Sequence, residues 1–179
     1  ISPLVPNVVK KIGARLTISI GLTVTAIAFV IMATWTKDMT YGHLAVTMIT
    51  MMLGITFAMT PGTNILMASV PRNRSGMGSA MNDTTRELGG ALGVAILGAI
   101  LSAVYESKIS ETASKFPDEI RAGLESSLAV AINVAEHLGA AASTVVDAAK
   151  DAFMGGISQA AIVAAVIIFA SAGTAISGA

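Results

Sequence analysis

Residues 76–105 read GMGSAMNDTTRELGGALGVAILGAILSAVY. The second part, Leu88 to Tyr105, carries no charge and is built almost wholly from Leu, Ile, Val, Ala and Gly. The first part holds Asp83, Arg86 and Glu87 within what reads as the same unbroken helix. At about 1.5 Å per residue, a helix of this length exceeds the roughly 30 Å hydrocarbon core of a bilayer. Three ionisable groups therefore lean into a membrane from one side. Such groups are expensive in lipid and mark functional sites.

The whole chain supports a membrane setting. Of its 179 residues, 54% are hydrophobic and only 12% charged, with a mean hydropathy of +0.75. A typical soluble domain carries about 25% charged residues. A chain this apolar lacks the polar groups to cover a globular surface, so the lipid bilayer is its natural solvent. The formal net charge is zero, which gives no reason to expect a nucleic-acid partner. Cysteine is absent, which excludes disulfides and thiolate metal sites, and two separated His give no metal-binding spacing. No P-loop or nucleophile–base arrangement is present, so neither an enzyme nor a cofactor is expected. The chain opens on Ile1 and closes on GTAISGA without a basic flank; we read it as a piece of a longer protein, one incomplete domain over residues 1–179.

Uncharged runs give an all-α membrane fold with four transmembrane helices, at about 16–36, 44–70, 76–105 and 152–178. Pro61 within the second run removes a backbone donor and predicts a kink or a partly opened helix. Pro71 is expected to stop that span before the basic turn of residues 72–76. Trp35 and Tyr41 suit an aromatic belt. Residues 106–151 are predicted to form a helical hairpin outside the membrane. Its first helix starts at Pro117, carries the stripe Ile120, Leu124, Leu128, Ile132, Ala135 and Leu138, and ends at Gly139. Its second is capped by Ser143 and runs through Val145, Val146 and Ala149 toward the last span. An unstructured loop is the plain alternative. Lys10, Lys11, Arg15, Arg72 and Arg74 flank one side of the spans, while the short loop between the first two holds only Lys37. By the positive-inside rule, both ends of the chain are cytoplasmic and segment 106–151 is extracytoplasmic.

Asp83 and Glu87 lie one helical turn apart and share a face that continues through Gly90, Val94, Leu97 and Leu101. Two carboxylates this close repel each other when both are ionised, which favours taking up a proton or drawing in a cation. Arg86 opposes that tendency if it pairs with Asp83. One reading is a proton-coupling or cation-recognition cluster on a water-filled path; the other is an interfacial salt-bridge patch that only positions the helix end. Gly89, Gly90 and Gly93 are read as a helix-packing surface, with Gly89 and Gly93 in small-xxx-small spacing. Gly76 and Gly78 do not make a dinucleotide fingerprint, because Met81 stands where a third Gly belongs and no strand precedes them. Pro61 and Asn64 are candidates to face a cavity, as in broken transporter helices; a simple kink eased by Thr60 and Thr63 is the alternative. The ten Met, several in the run TMITMMLGITFAM, form an adaptable apolar surface or simply face lipid and core.

These residues together resemble the carboxy-terminal third of a major facilitator superfamily transporter, in its 14-span drug:proton antiporter branch of multidrug and quaternary-ammonium efflux proteins. The strong part runs from Leu53 to Leu101 and includes VPRNRSGMGSAMNDTTRELGGALGVAILGAIL. The opening LVPNVVKKIGAR is similar to the basic loop that recurs in such proteins, although it lacks the acidic residue of the fullest form. The Ala-rich SLAVAINVAEHLGAAASTVVDAAKDAFMGGISQA also resembles this branch. The resemblance implies spans 11 to 14 of a protein in the cell's inner (plasma) membrane. It implies export of hydrophobic, often cationic, small molecules in exchange for protons, by alternating access. Asp83 and Glu87 then fall where the family recognises cations or couples protons, with Asn82 and Arg86 in the same motif. The missing amino-terminal part of the transporter becomes an obligatory partner. Two further readings are a major facilitator symporter for a metabolite and a non-transporting membrane scaffold, the latter having no need of charges at 82–87. A soluble Ala-rich bundle is a third, opposed by the long uncharged runs.

Overall fold

A computed structural model of the chain describes residues 5–138 and 141–177. Among the described residues the regular structure is helical and no strand occurs; the α-helices are α1 (Val5–Ile12), α2 (Ala14–Ala33), α3 (Tyr41–Ala68), α4 (Ser75–Ala113), α5 (Asp118–Ser126), α6 (Leu128–Ala135) and α7 (Ala142–Ser177). Four of them, α2, α3, α4 and α7, are long and apolar enough to cross a membrane. They agree in number and order with the uncharged runs. Their bounds differ, because hydropathy marks only the part in lipid, whereas a helix satisfies its own backbone and continues into water. Thus α4 has 39 residues and α7 has 36, each well beyond the uncharged stretch it contains.

The basic amino-terminal segment is itself helical, with Lys10 and Lys11 in the last turn of α1, where cations complement exposed carbonyls. Gly13 separates α1 from α2 at φ 85°, ψ 159°, a conformation that glycine alone adopts without strain. In α3 the helix is unbroken through Pro61, so it does not open there. It ends at Ala68, just ahead of Pro71.

Packing pairs α2 with α3, α2 with α7, and α7 with α4. Although joined by a short turn, α3 and α4 touch only weakly; near that turn Gly78 packs against Val70 and Met67. The α2–α3 crossing is the tightest. Thr47, Gly54 and Pro61, each seven positions from the last, form the buried face of α3. A Cβ placed on Gly21 would stand 2.7 Å from the Gly54 carbonyl, so the two backbones meet with nothing between them. The α2–α7 seam is made of small residues. Ala160, Ala161, Ala164, Ala165 and Ala172 are buried on α7, and Ser19 and Ala26 on the side of α2 that meets it. Ser19 Oγ donates to the Ala172 carbonyl at 2.9 Å, and Ser158 Oγ to that of Ala33 at 2.8 Å. Between helices in lipid, where no hydrophobic force acts, close approach and such hydrogen bonds supply the cohesion.

Beyond the spans, the far ends of α4 and α7 join α5 and α6 in a helical cap with its own core. Ile109, Ala113, Leu124, Ala131, Ala135, Val145 and Ala149 are all 0% exposed. Phe116, Ile120, Leu128 and Leu138 pack around them, so the stripe read from the sequence faces a core at every position but Ile132. Its helix is not continuous, however. Ser127 is extended (φ −170°, ψ 159°), and its hydroxyl accepts from the Val130 amide, which caps α6 and divides the expected helix in two. Ser143 is not the cap of the following helix. The backbone is already helical at Ala142, which places Ser143 inside α7. Gly139 lies outside the described residues.

Tyr105 ties the cap to the spans by donating from its buried hydroxyl to the Leu124 carbonyl at 2.9 Å. Replacing Ile109 by Ala is expected to cost the cap about 3 kcal/mol, the usual loss for a buried aliphatic truncation. Tyr105→Phe should cost about 1 kcal/mol. Hydrogen–deuterium exchange should show faster exchange in α5 and α6 for both variants, with α2 and α3 unchanged.

Candidate functional site

Asp83, Arg86 and Glu87 sit in the first turns of α4 and line a shallow cavity of about 350 Å³. The i, i+3 and i+4 spacing of a regular helix brings them together, as the sequence predicts. All three are exposed, and Asn82 beside them is half-buried. The ion pairs among the described residues are Lys37–Asp147, Lys37–Asp151 and Arg121–Glu125. Arg86 therefore does not lock onto Asp83, and both carboxylates of the cluster remain open to the cavity.

Pro61 and Asn64 do not join this cluster. Pro61 is buried on the face of α3 toward α2, and Asn64 is exposed. Farther along α4, Gly93, Val94, Leu97, Gly98 and Leu101 line a second, apolar cavity of about 490 Å³ with side chains of α2 and α7. Val94 is 76% exposed. Beyond the adjoining turns of α4 itself, no atom among the described residues lies within 4 Å of where a Cβ on Gly89, Gly90 or Gly93 would stand. Among the described residues, then, no helix fills the Gly89–Gly93 face. Gly21, Gly54 and Gly156 do permit close approach of one helix backbone to another; a Cβ on Gly156 would meet the Leu101 carbonyl at 2.9 Å.

At the capped end the sequence reading missed a charged tie. Lys37 Nζ, in the α2–α3 loop, donates to Asp151 at 3.0 Å and lies 3.9 Å from Asp147, both on α7. The hydrogen bond to Asp151 is the main cause holding the Lys37 ammonium above its ordinary range; the charges of Asp151, Asp147 and Asp38 add to it, and desolvation works against it. The available signal was the pair of Asp one turn apart at the start of α7, opposite a loop with one cation. Trp35 Nε1 donates to Thr47 Oγ1 at 3.2 Å in the same loop, which fixes the indole at the end of the spans.

Comparison with characterised proteins gives several matches. The chain is 32% identical over 152 residues to the multidrug efflux pump LfrA of Mycolicibacterium smegmatis, covering 85% of this chain and 30% of that protein. It is 32% identical over 103 residues to the multidrug resistance protein Stp of Mycobacterium tuberculosis, covering 58% and 19%. It is 28% identical over 155 residues to the methyl viologen resistance protein SmvA of Salmonella typhimurium, covering 85% and 31%. The chain thus spans about a third or less of the length of these relatives. No family model and no solved structure matches.

Proposed function

We propose, from the premise that this chain belongs to the multidrug efflux proteins of the major facilitator superfamily, that it is the carboxy-terminal part of a proton-coupled exporter of hydrophobic and cationic compounds. The observation that carries the site is the open cavity holding Asp83, Arg86 and Glu87 together at one end of α4. Two carboxylates one turn apart, with no fixed counter-ion, can hold a proton or attract a cation as the surroundings change. In this reading they sit at the cytoplasmic mouth of the path, the cap lies outside the cell, and the inner membrane holds the spans. The rest of the transporter supplies the opposing wall.

The bare Gly89–Gly93 face of α4 supports that reading, because a small-residue surface left open here accepts a helix from elsewhere in the protein. Gly89→Leu combined with Gly93→Leu, at positions where a Cβ meets nothing among the described residues outside its own helix, is expected to lower the yield of folded full-length protein by about fivefold. Fluorescence-detected size exclusion measures this; an unchanged profile removes the packing role.

The transport reading itself is tested with the full-length protein in proteoliposomes. A hydrophobic cationic dye should move when a pH gradient is imposed and stop when a protonophore collapses it. Transport indifferent to the gradient would exclude proton coupling.

A further inference from the structure

At the capped end a cavity of about 370 Å³ opens between the α2–α3 loop, α4 and α7. Thr34, Trp35, Lys37, Lys108, Asp151 and Ser158 are among its lining residues. Its charges are not balanced pair by pair. Lys37 is engaged by Asp151 and, at longer range, by Asp147. Lys108 lines the same space and belongs to none of the ion pairs found among the described residues.

The backbone of α7 is shaped to hold Lys108 there. A Cβ on Gly155 would stand 2.6 Å from Lys108 Nζ and 2.8 Å from its Cδ. Any larger residue at 155 would therefore expel the lysine stem from its trough. The side chain runs along apolar helix surface and delivers its ammonium to the cavity, as long basic side chains do near membrane boundaries.

Its depth follows from the charge pattern of the sequence. The cavity lies at the last turn of α2, where the uncharged run gives way to Lys37 and Asp38. It faces the turn of α7 where Lys150 and Asp151 give way to the apolar run. The indole of Trp35, anchored on Thr47, lies at the same level, where aromatic side chains meet lipid headgroups. A cavity with one uncommitted cation, open at headgroup depth, matches an anionic phosphate group; the Thr34 and Ser158 hydroxyls in its wall already donate to backbone carbonyls, and the Asp151 carboxylate is held by Lys37.

We propose that this cavity seats a phosphodiester, supplied by an anionic phospholipid of the adjoining leaflet, with Lys108 as its charged contact and Gly155 as the residue that positions Lys108. The Lys37–Asp151 pair forms the opposite rim and holds the loop in place. The site is independent of the Asp83–Glu87 cavity, which lies at the other end of α4, so its failure would leave the transport reading untouched.

The test uses purified full-length protein and phosphatidylglycerol as the probe, with bound lipid counted by native mass spectrometry. Wild-type protein should retain phosphatidylglycerol over phosphatidylcholine. Lys108→Gln should lower that retention by about fivefold, the loss expected for one basic contact with an anionic membrane surface. Lys108→Arg should preserve it, and so should Lys150→Gln, an exposed lysine on α7 outside the cavity. Retention that persists in excess inorganic phosphate supports the lipid source. Displacement by inorganic phosphate would overturn that source and reassign the site to the free anion. Equal retention by wild type and Lys108→Gln would overturn the site altogether.

Discussion

Asp83→Asn together with Glu87→Gln, introduced in the full-length protein, is expected to cut export of a cationic dye by at least about tenfold at matched expression. A tenfold change corresponds to about 1.4 kcal/mol, within the usual range for coupling between sites. Both substitutions preserve shape and remove only the charge and the capacity to exchange a proton. Because both side chains are exposed and neither is in an ion pair, the variants should fold normally. The two carboxylates share one cavity, so the single variants should not add: removing either also relieves the other of a repelling neighbour. Arg86→Gln, measured beside them, should change the substrate range or the pH dependence before it abolishes export. Dye efflux from energised cells, with and without a protonophore, provides the readout. If the double variant exports at the normal rate with the normal gradient dependence, the cluster is an interfacial patch and the coupling residues lie elsewhere.

Gly54→Val should force α2 and α3 apart. A methyl at this position would strike the Thr25 side chain, the Thr25 amide nitrogen at 2.6 Å and the Gly21 carbonyl at 2.7 Å. Two of those atoms are backbone and cannot rotate away, so α2 and α3 must separate. Separation also draws apart the buried faces on which Thr25 and Thr47 lie. Overpacking of this kind costs about 3 kcal/mol, which in a chain of this size lowers a melting transition by about 10 °C. Trp35, the only tryptophan of the chain, lies beside this crossing and can report the transition in detergent. Gly62→Ala is the matched control. It sits in the same helix with nothing within 4 Å, and alanine favours helix over glycine, so its transition should stay or rise slightly. A Gly54→Val protein that melts with wild type would show that the two helices do not cross closely.

The spans were legible because lipid imposes a demand that composition alone can meet, and a run such as Leu88–Tyr105 has no other explanation in water. The hairpin stripe was legible for a related reason: Leu124 and Ala135 recur at helical spacing and both end in a core. Helix ends were less so. Ser127 reads equally well as a residue inside a helix or as a cap, and only the packing of α6 against α7 decides for the cap. Spacing shows which glycines share a face but not which neighbour is near. Gly89 and Gly93 carry the motif and stand open, whereas Gly21 and Gly54, without an obvious motif, hold two helices together. The candidate site was found because its members are one turn apart. The Lys37–Asp151 tie was missed because 114 positions separate its partners.

The hydrogen bond from Ser19 to Ala172 joins residues 153 positions apart, in the first and the last of the long helices. During synthesis, at about 5–20 residues per second, α2 must wait about 8–30 s before its partner strand of polypeptide exists. Thr17, Thr23 and Thr25 wait at no cost, since each hydroxyl bonds a carbonyl one turn earlier in its own helix. Ser19 instead gives its hydroxyl to α7, so it must exchange a local partner for the Ala172 carbonyl once α7 has inserted. The seam between α2 and α7 is therefore closed last: the first long helix is joined to a partner that synthesis supplies only at the end.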